Sequence, residues 1–286
     1  MYDLHTHSTA SDGNLSPAQL VEAAEKRSIK ILALTDHDTI NGTKEASEEA
    51  KKRGINFIPG IELEIDWMEN KGGEFHLLGL GIKNPSTGFI EAVRDMAERR
   101  EIRNLQITEK MNSEGIDFSY EEVKAFSGGH SVGRPHFAAL LVKRKMAKNI
   151  KQAFTRYLGK GKPYFIPRIG LDFDRAVSVI HESGGYAILA HPMSLYIAWG
   201  RLPDIIKNLK DRGLDGLEAW HPLAKLSACR RLSELGKELG LYISAGSDFH
   251  GPNVPDRKLG MTSGDQKIND SFLDEAFRDI IKSICI

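Results

Sequence analysis

The chain has 286 residues, 41% of them apolar and 27% charged, a balance that suits one large globular domain or two modest ones and argues against disorder. Its 39 basic and 39 acidic residues cancel. No apolar run approaches the ~18 residues of a membrane span, the opening MYDLHTH carries no basic-then-apolar leader, and Cys229 and Cys285, outside any CxxC spacing, argue against a disulfide framework or a thiolate zinc site. These features lead to the expectation of a cytoplasmic protein with no membrane attachment and no evident obligate protein partner.

In chain order, Tyr2–His5 reads as a short strand and Ser8–Leu15 as a loop. Pro17 opens a helix to about Arg27, with Ser16 as its N-cap. Lys30–Thr35 is a β-branched apolar run, and a helix near Thr43–Arg53 stops at Gly54. Ile55–Ile65 is a strand broken at Pro59-Gly60, and Phe75–Ile82 is another, bounded by Gly72-Gly73 and Pro85. Such βαβα patterning favours a parallel sheet or barrel.

From Ser86 to about Tyr164 the pattern is helical, with segments at Phe89–Met111, Tyr120–Phe126, Pro135–Lys145 and Ile150–Leu158. Strands then alternate with helices again: Tyr186–His191, Leu214–Trp220 and Leu241–Gly246 are extended, whereas Phe173–Glu182, Pro203–Lys210, Leu223–Leu239 and Ser271–Ser283 are helical. The expected organisation is an α/β barrel in two parts, residues 1–83 and 167–286, interrupted by a helical insertion over 84–166. Charge follows the same division. Val123–Leu171 holds no acid and eleven basic residues, among them Arg134, Lys162 and Arg168, which leaves 28 basic against 39 acidic residues elsewhere. A bound anion near that stretch is one explanation and a solvated helical face is the other.

Histidines and carboxylates recur where the chain leaves a predicted strand. His5-x-His7 places two imidazoles on one strand face, and Asp12 follows in the loop. Thr35-Asp36-His37-Asp38, Gly60-Ile61-Glu62, Ala190-His191-Pro192 and Ser247-Asp248-Phe249-His250 close later strands, and His76 lies within the fourth. A lone HxH is usually structural, but several such clusters at strand ends mark the rim where barrels gather catalytic groups. Imidazoles and carboxylates without thiolate suit Mn, Fe or Zn and disfavour calcium. The nine candidates His5, His7, Asp12, His37, Glu62, His76, His191, Asp248 and His250 exceed the needs of one ion, so two or three divalent ions are expected.

The ordered motifs HTH, Asp12, TDHD, PGIE, His76, AHP and SDFHG resemble those of the PHP superfamily, named for its polymerase and histidinol phosphatase members. Within the helical block, GRPHFAALLV and AFTRYLGKGKPYFIP are similar to the inserted segment of stand-alone PHP nucleotidases and 5′-to-3′ exoribonucleases. The resemblance implies a distorted (β/α)7 barrel with a trinuclear metal centre. It assigns His5, His7, Glu62 and Asp248 to one ion, Asp12, His37 and His250 to a second, and His76, His191 and a bridging Glu62 to a third. It also implies a phosphoesterase acting on a phosphorylated nucleotide or a short RNA 5′ end, with Asp12, His37, Asp248 and His250 in the catalytic centre.

Arg134 suits bidentate phosphate binding and joins the catalytic set. His136 and Lys162 are candidate substrate contacts, His130 and Arg168 weaker ones, and His221 a candidate proton donor to the leaving oxygen. Asp36 and Asp38 should point away from His37 on a continuing strand, leaving one of them to orient a ligand imidazole. Histidinol phosphate or a cyclic phosphate as substrate, an amidohydrolase, and a non-catalytic PHP module remain as alternatives.

Overall fold

The computed structural model describes residues 1–67, 73–126, 132–167 and 169–286. Two compact units result, one from Met1–Val93 with Gly170–Ile286 and the other from Arg94–Ile169.

The first unit is built on seven strands: β1 (Tyr2–Asp3), β2 (Ile31–Leu34), β3 (Asn56–Glu64), β4 (His76–Leu80), β5 (Tyr186–Leu189), β6 (Gly216–Trp220) and β7 (Tyr242–Ala245), paired in sequence order. Helices α1 (Pro17–Lys26) and α2 (Thr43–Arg53) join the first three strands. Ser16 and Gln19 form a reciprocal capping box at the start of α1, and Gly54 closes α2 in the left-handed conformation. Alternation along the strands divides the apolar groups. Leu32, Leu34 and Phe57 pack with α1 and α2, whereas Ile31, Ala33, Ile58, Leu78 and Ile188 share a core with Phe277 and Ile281.

The sheet is nearly closed. Beyond the ends of β1 and β7, Thr6 bridges Phe249 in parallel, and the His7 N–H donates to the Phe249 carbonyl at 2.9 Å. Asp3, fully buried, reinforces this seam: its carboxylate accepts from the Ser247 N–H (2.9 Å), the Ser247 hydroxyl (2.6 Å) and the Gly260 N–H (2.7 Å). Burial raises the Asp3 carboxyl to a pKa of about 6, against the pull of these donors.

Two features correct the expectations from sequence. The barrel is not all parallel, because β4 runs antiparallel to both β3 and β5. Residues 65–75 alone separate β3 from β4, too few for the crossover of a dozen or more residues that parallel strands require. Pro59-Gly60 also does not break β3. The Pro59 carbonyl accepts from the N–H groups of Gly81 and Ile82, and a side chain at Gly60 would meet the Gly79 carbonyl oxygen at 2.9 Å.

The second unit holds most of the long α3 (Thr87–Ser113), which begins in the first, then α4 (Tyr120–Phe126), α5 (Arg134–Lys143), α6 (Ile150–Ala153) and a π-helical turn at Phe154–Leu158. Ile107, Phe118, Val123, Phe137, Leu141 and Leu158 form its core. The first unit continues with α7 (Phe173–Glu182) before β5, α8 (Leu202–Asp211) before β6 and α9 (Leu226–Glu238) before β7. A two-stranded ribbon, β8 (Met261–Thr262) and β9 (Gln266–Lys267), precedes α10 (Glu275–Ile284), which supplies Phe277 and Ile281 to the barrel core. Asp274 caps α10 through the Phe277 N–H while also accepting from the β7 N–H of Ile243. Among the described residues, no helix is long and apolar enough to cross a membrane.

Candidate metal centre

Strand geometry delivers donors to one end of the barrel. His5 and His7 follow β1, His37 follows β2 and bridges to Glu62 in β3, and His76 opens β4. His191 lies two residues beyond β5, and Asp248 and His250 lie beyond β7. His191 (φ 26°) and Asp248 (φ 50°) have positive φ, uncommon for residues with side chains and concentrated at sites where the surrounding structure holds the backbone.

The nine candidate residues of the sequence meet in three overlapping groups. In the first, His5 Nε2 lies 3.1 Å from His7 Nε2, 3.3 Å from Glu62 Oε2 and 3.4 Å from Asp248 Oδ1. His7 Nε2 lies 3.2 Å from each of the same two carboxylate oxygens. Donors about 2.1 Å from a shared centre stand about 3.4 Å apart at tetrahedral angles, so this spacing fits a small divalent ion.

The second group is His7, Asp12, His37 and His250, with Asp12 Oδ1 3.3 Å from His250 Nε2. In the third, Glu62 Oε1 stands 2.9 Å from both His76 Nδ1 and His191 Nε2, which are 3.3 Å apart. His37 also reaches this side, its Nδ1 being 3.1 Å from Glu62 Oε2. His7 and His37 are therefore each shared between groups.

Hydrogen bonding alone does not account for the cluster. Glu62 Oε2 has three ring nitrogens within 3.3 Å yet lacks a hydrogen bond, and His7 Nδ1, His37 Nδ1 and His76 Nε2 are likewise buried without one. A buried carboxylate oxygen without a donor, set among three imidazole nitrogens, is the kind of orphan that a bound cation would satisfy. The cluster therefore fits divalent metal ions.

Electrostatics polarises the centre. Burial opposes charge throughout, but His37, His5 and His76 hold Glu62 well below the usual carboxylate range. Arg257 and His5 do so for Asp248, and His250 and His37 for Asp12. Against the same burial, Glu218, Glu62 and Asp248 raise His5 well above an ordinary imidazole, Glu62 raises His76, and the nearby Asp248 and Glu62 carboxylates raise His7 to about 9. Burial drives His37 and His221 down instead.

Several neighbours were not singled out from the sequence. Glu218, fully buried in β6, holds two of the candidate histidines: its Oε1 is 3.1 Å from His5 Nδ1, and its Oε2 accepts the His191 N–H at 2.8 Å. The available signal was an acid within the apolar strand GLEAW, since a buried charge needs a partner. Arg257 Nη1 lies 2.7 Å from Asp248 Oδ2, and its loop position carried no local signal.

Asp36, one of the two carboxylates expected to be available for orienting a ligand imidazole, is engaged by hydroxyl and backbone donors instead. It accepts from the Ser8 N–H (2.8 Å) and the Ser8 and Ser11 hydroxyls (2.7 and 2.6 Å), tying down the loop that carries Asp12. Asp38, with φ 52°, accepts the Glu64 N–H because the chain has left β2 and its side-chain alternation no longer applies.

His221 Nε2 lies 3.2 Å from Asp248 Oδ2, and its Nδ1 accepts the Leu223 N–H at 3.3 Å, which places the proton of the neutral ring on Nε2. Three candidates belong to the second unit. The Arg134 guanidinium lies 5.4 Å from the Phe165 ring centre, His136 Nδ1 accepts the Gly133 N–H at 2.9 Å, and Lys162 is exposed. His130 and Arg168 fall outside the described residues. Part of the basic stretch is neutralised by nearby acids: Lys124 pairs with Glu101 and Glu121, and Arg144 with Glu122.

A cavity of 330 Å³ opens onto His37, Glu62, His76, His191 and Asp248 in the first unit.

The model of the PHP domain matches residues 3–158. A 5′-3′ exoribonuclease of Haemophilus influenzae is 38% identical over 251 residues, covering 88% of this chain and 90% of that protein. A 3′,5′-nucleoside bisphosphate phosphatase of Chromobacterium violaceum is 31% identical over 261 residues, covering 91% and 90%. Among solved structures, one titled as an amidohydrolase from Chromobacterium violaceum, with bound sulfate and no metal, aligns with 100% of this chain and 97% of that one at a TM-score of 0.87 and 28% identity. Matches of this extent, joined to a nearly closed seven-stranded barrel with a histidine–carboxylate cluster at one end, establish that the chain belongs to the PHP family and is a metal-dependent phosphoesterase.

Proposed function

We propose that the protein removes a terminal phosphate from nucleotides, with 3′,5′-nucleoside bisphosphates and the 5′ ends of short RNA as its substrates. The carrying observation is the position of Glu62, whose two oxygens serve two groups of imidazoles at the floor of a cavity of 330 Å³. That volume is at the small end of ligand pockets and suits one nucleotide unit at a time. The names of the relatives from Haemophilus influenzae and Chromobacterium violaceum agree with a nucleotide or RNA substrate.

In this reading His5, His7, Glu62 and Asp248 would hold one ion, Asp12, His37 and His250 a second, and His76 and His191, with Glu62, a third. Bound divalent ions supply Lewis acidity, polarising phosphoryl oxygens and lowering the pKa of water. The protein groups do the rest. Arg257, beside Asp248, offers a guanidinium to a phosphoryl oxygen. His221, with its N–H at Nε2 beside the same carboxylate, offers a hydrogen bond to the departing oxygen, which takes its proton from water.

The test is phosphate release after loading with Mn, Fe or Zn, comparing a 3′,5′-bisphosphonucleoside, 5′-phosphorylated short RNA, a cyclic phosphate and histidinol phosphate. The first two should lead. His37→Ala and Asp248→Ala should abolish release while circular dichroism stays native, and full activity in both variants would overturn the assignment.

A further inference from the structure

Strands β5 and β6 end alike. Each is followed by a His-Pro pair, His191-Pro192 and His221-Pro222, and each turn then carries an apolar side chain into solvent. Tyr196 is 81% exposed and Leu223 59% exposed. Both line the cavity that opens onto the histidine–carboxylate centre, whereas none of the other large exposed apolar residues among those described does so.

The two turns are fastened to the centre. His191 Nδ1 lies 2.7 Å from the Ser194 hydroxyl, which donates to the Glu74 carbonyl at 2.9 Å, and the Glu74 N–H returns a bond to the Ser194 carbonyl. Tyr196 closes this turn with φ 51° and ψ 37°, a conformation that costs a side-chain-bearing residue free energy and is retained where the surroundings impose it. On the other side the Leu223 N–H donates to His221 Nδ1, and the Ala224 N–H to the His221 carbonyl. An exposed aromatic ring and an exposed aliphatic group are thus held at fixed positions along one cavity, on backbone tied to the imidazoles at its floor. Neither contributes to the core, so their burial in the free protein does not explain them.

We propose that Tyr196 and Leu223 form the platform that holds the base of a nucleotide substrate while its phosphate reaches the centre. This rests on the nucleotide reading above and adds to it a recognition element for the nucleoside portion. Phosphate and metal ligands recognise charge, which every phosphate ester offers. A flat apolar contact recognises the heterocycle, and it tolerates all four bases because each has a π-face. Such a platform accounts for discrimination between a nucleotide and a sugar phosphate without hydrogen-bond readout of the base.

The test uses the metal-loaded protein and 2-aminopurine riboside 3′,5′-bisphosphate, followed by stopped-flow fluorescence, with 5-phosphoribose as the ester lacking a base. Stacking should quench 2-aminopurine in the wild type. Tyr196→Ala should lose the quench and bind about tenfold more weakly, a loss typical of a base–aromatic stack. Tyr196→Phe should behave as wild type, Leu223→Ala should weaken binding, and turnover of 5-phosphoribose should not change in any of them. Both side chains are exposed, so native circular dichroism is expected of every variant. Absence of quenching in the wild type, unaltered affinity in Tyr196→Ala and Leu223→Ala, or an equal loss on 5-phosphoribose would overturn the platform. Quenching that persists while neither the bisphosphate nor 5′-phosphorylated RNA releases phosphate would support the platform and overturn the proposed nucleotide-phosphatase activity instead.

Discussion

One carboxylate spans two histidines of the cluster: Glu218 Oε1 lies 3.1 Å from His5 Nδ1, while its Oε2 accepts the backbone N–H of His191 at 2.8 Å. It fixes which nitrogen of His5 faces the cluster and anchors the strained residue that closes β5. Glu218→Gln preserves the shape but removes the charge, and partners of this kind are worth about 10–100-fold in metal affinity or activity. The variant should fold normally and retain less metal after dialysis, with kcat falling in the same range. Metal analysis by mass spectrometry alongside steady-state kinetics checks this, and wild-type metal content with wild-type kcat would contradict it.

Metal removal should cost stability as well as activity. Asp12, Glu62 and Asp248 are buried or nearly so and share their space with six imidazoles. An ion bound only to the folded state at about a thousand times its Kd stabilises by about 4 kcal/mol. Treatment with EDTA should therefore lower the melting temperature by about 5 °C or more. Adding Mn or Zn back should restore it with release of protons, because ligand nitrogens have to be free of them. Calorimetry in two buffers of different ionisation enthalpy measures both effects.

The barrel seam depends on Asp3. Replacing it with alanine leaves the buried Ser247 N–H and Gly260 N–H without their acceptor, each such loss costing about 1–3 kcal/mol. Asp3→Ala should be about 2–5 kcal/mol less stable in urea unfolding. Activity should fall too, since Ser247 immediately precedes Asp248. A change below about 0.5 kcal/mol would mean that the seam closes without this carboxylate.

Thiol reactivity supplies a pH test away from the centre. Burial pushes the Cys285 thiol up to about 11, Lys83 offsetting only part of it, and its S–H lies 3.0 Å from the Ile281 carbonyl oxygen. Only the thiolate reacts, so at pH 8 labelling of Cys285 should be about two orders of magnitude slower than for a free thiol. The rate should climb about tenfold per pH unit up to pH 10, as expected below the pKa. Cys229 is fully buried and should label only on unfolding. Rapid labelling of Cys285 in the native protein at pH 7 would refute the shift.

Much of this organisation was readable from residue order. The helix starts at Pro17 and the stop at Gly54 follow from capping chemistry within a few residues, and the structure places both there. Donor residues at strand ends were readable for a similar reason, because apolar runs mark strands locally and the residue that ends a run is visible. The reversed direction of β4 was not, since a strand reads the same in either orientation and the length of the connection before it sets the direction.

The inventory of imidazoles and carboxylates resides in residue type, so the linear chain specified it. How the donors are shared is a matter of distances through space. Glu62 divides its oxygens between His5 and His7 on one side and His76 and His191 on the other, and Glu218 meets His5 across a separation of 213 positions. Such pairings depend on barrel closure bringing seven strand ends to one rim, and no local pattern encodes the separations that result.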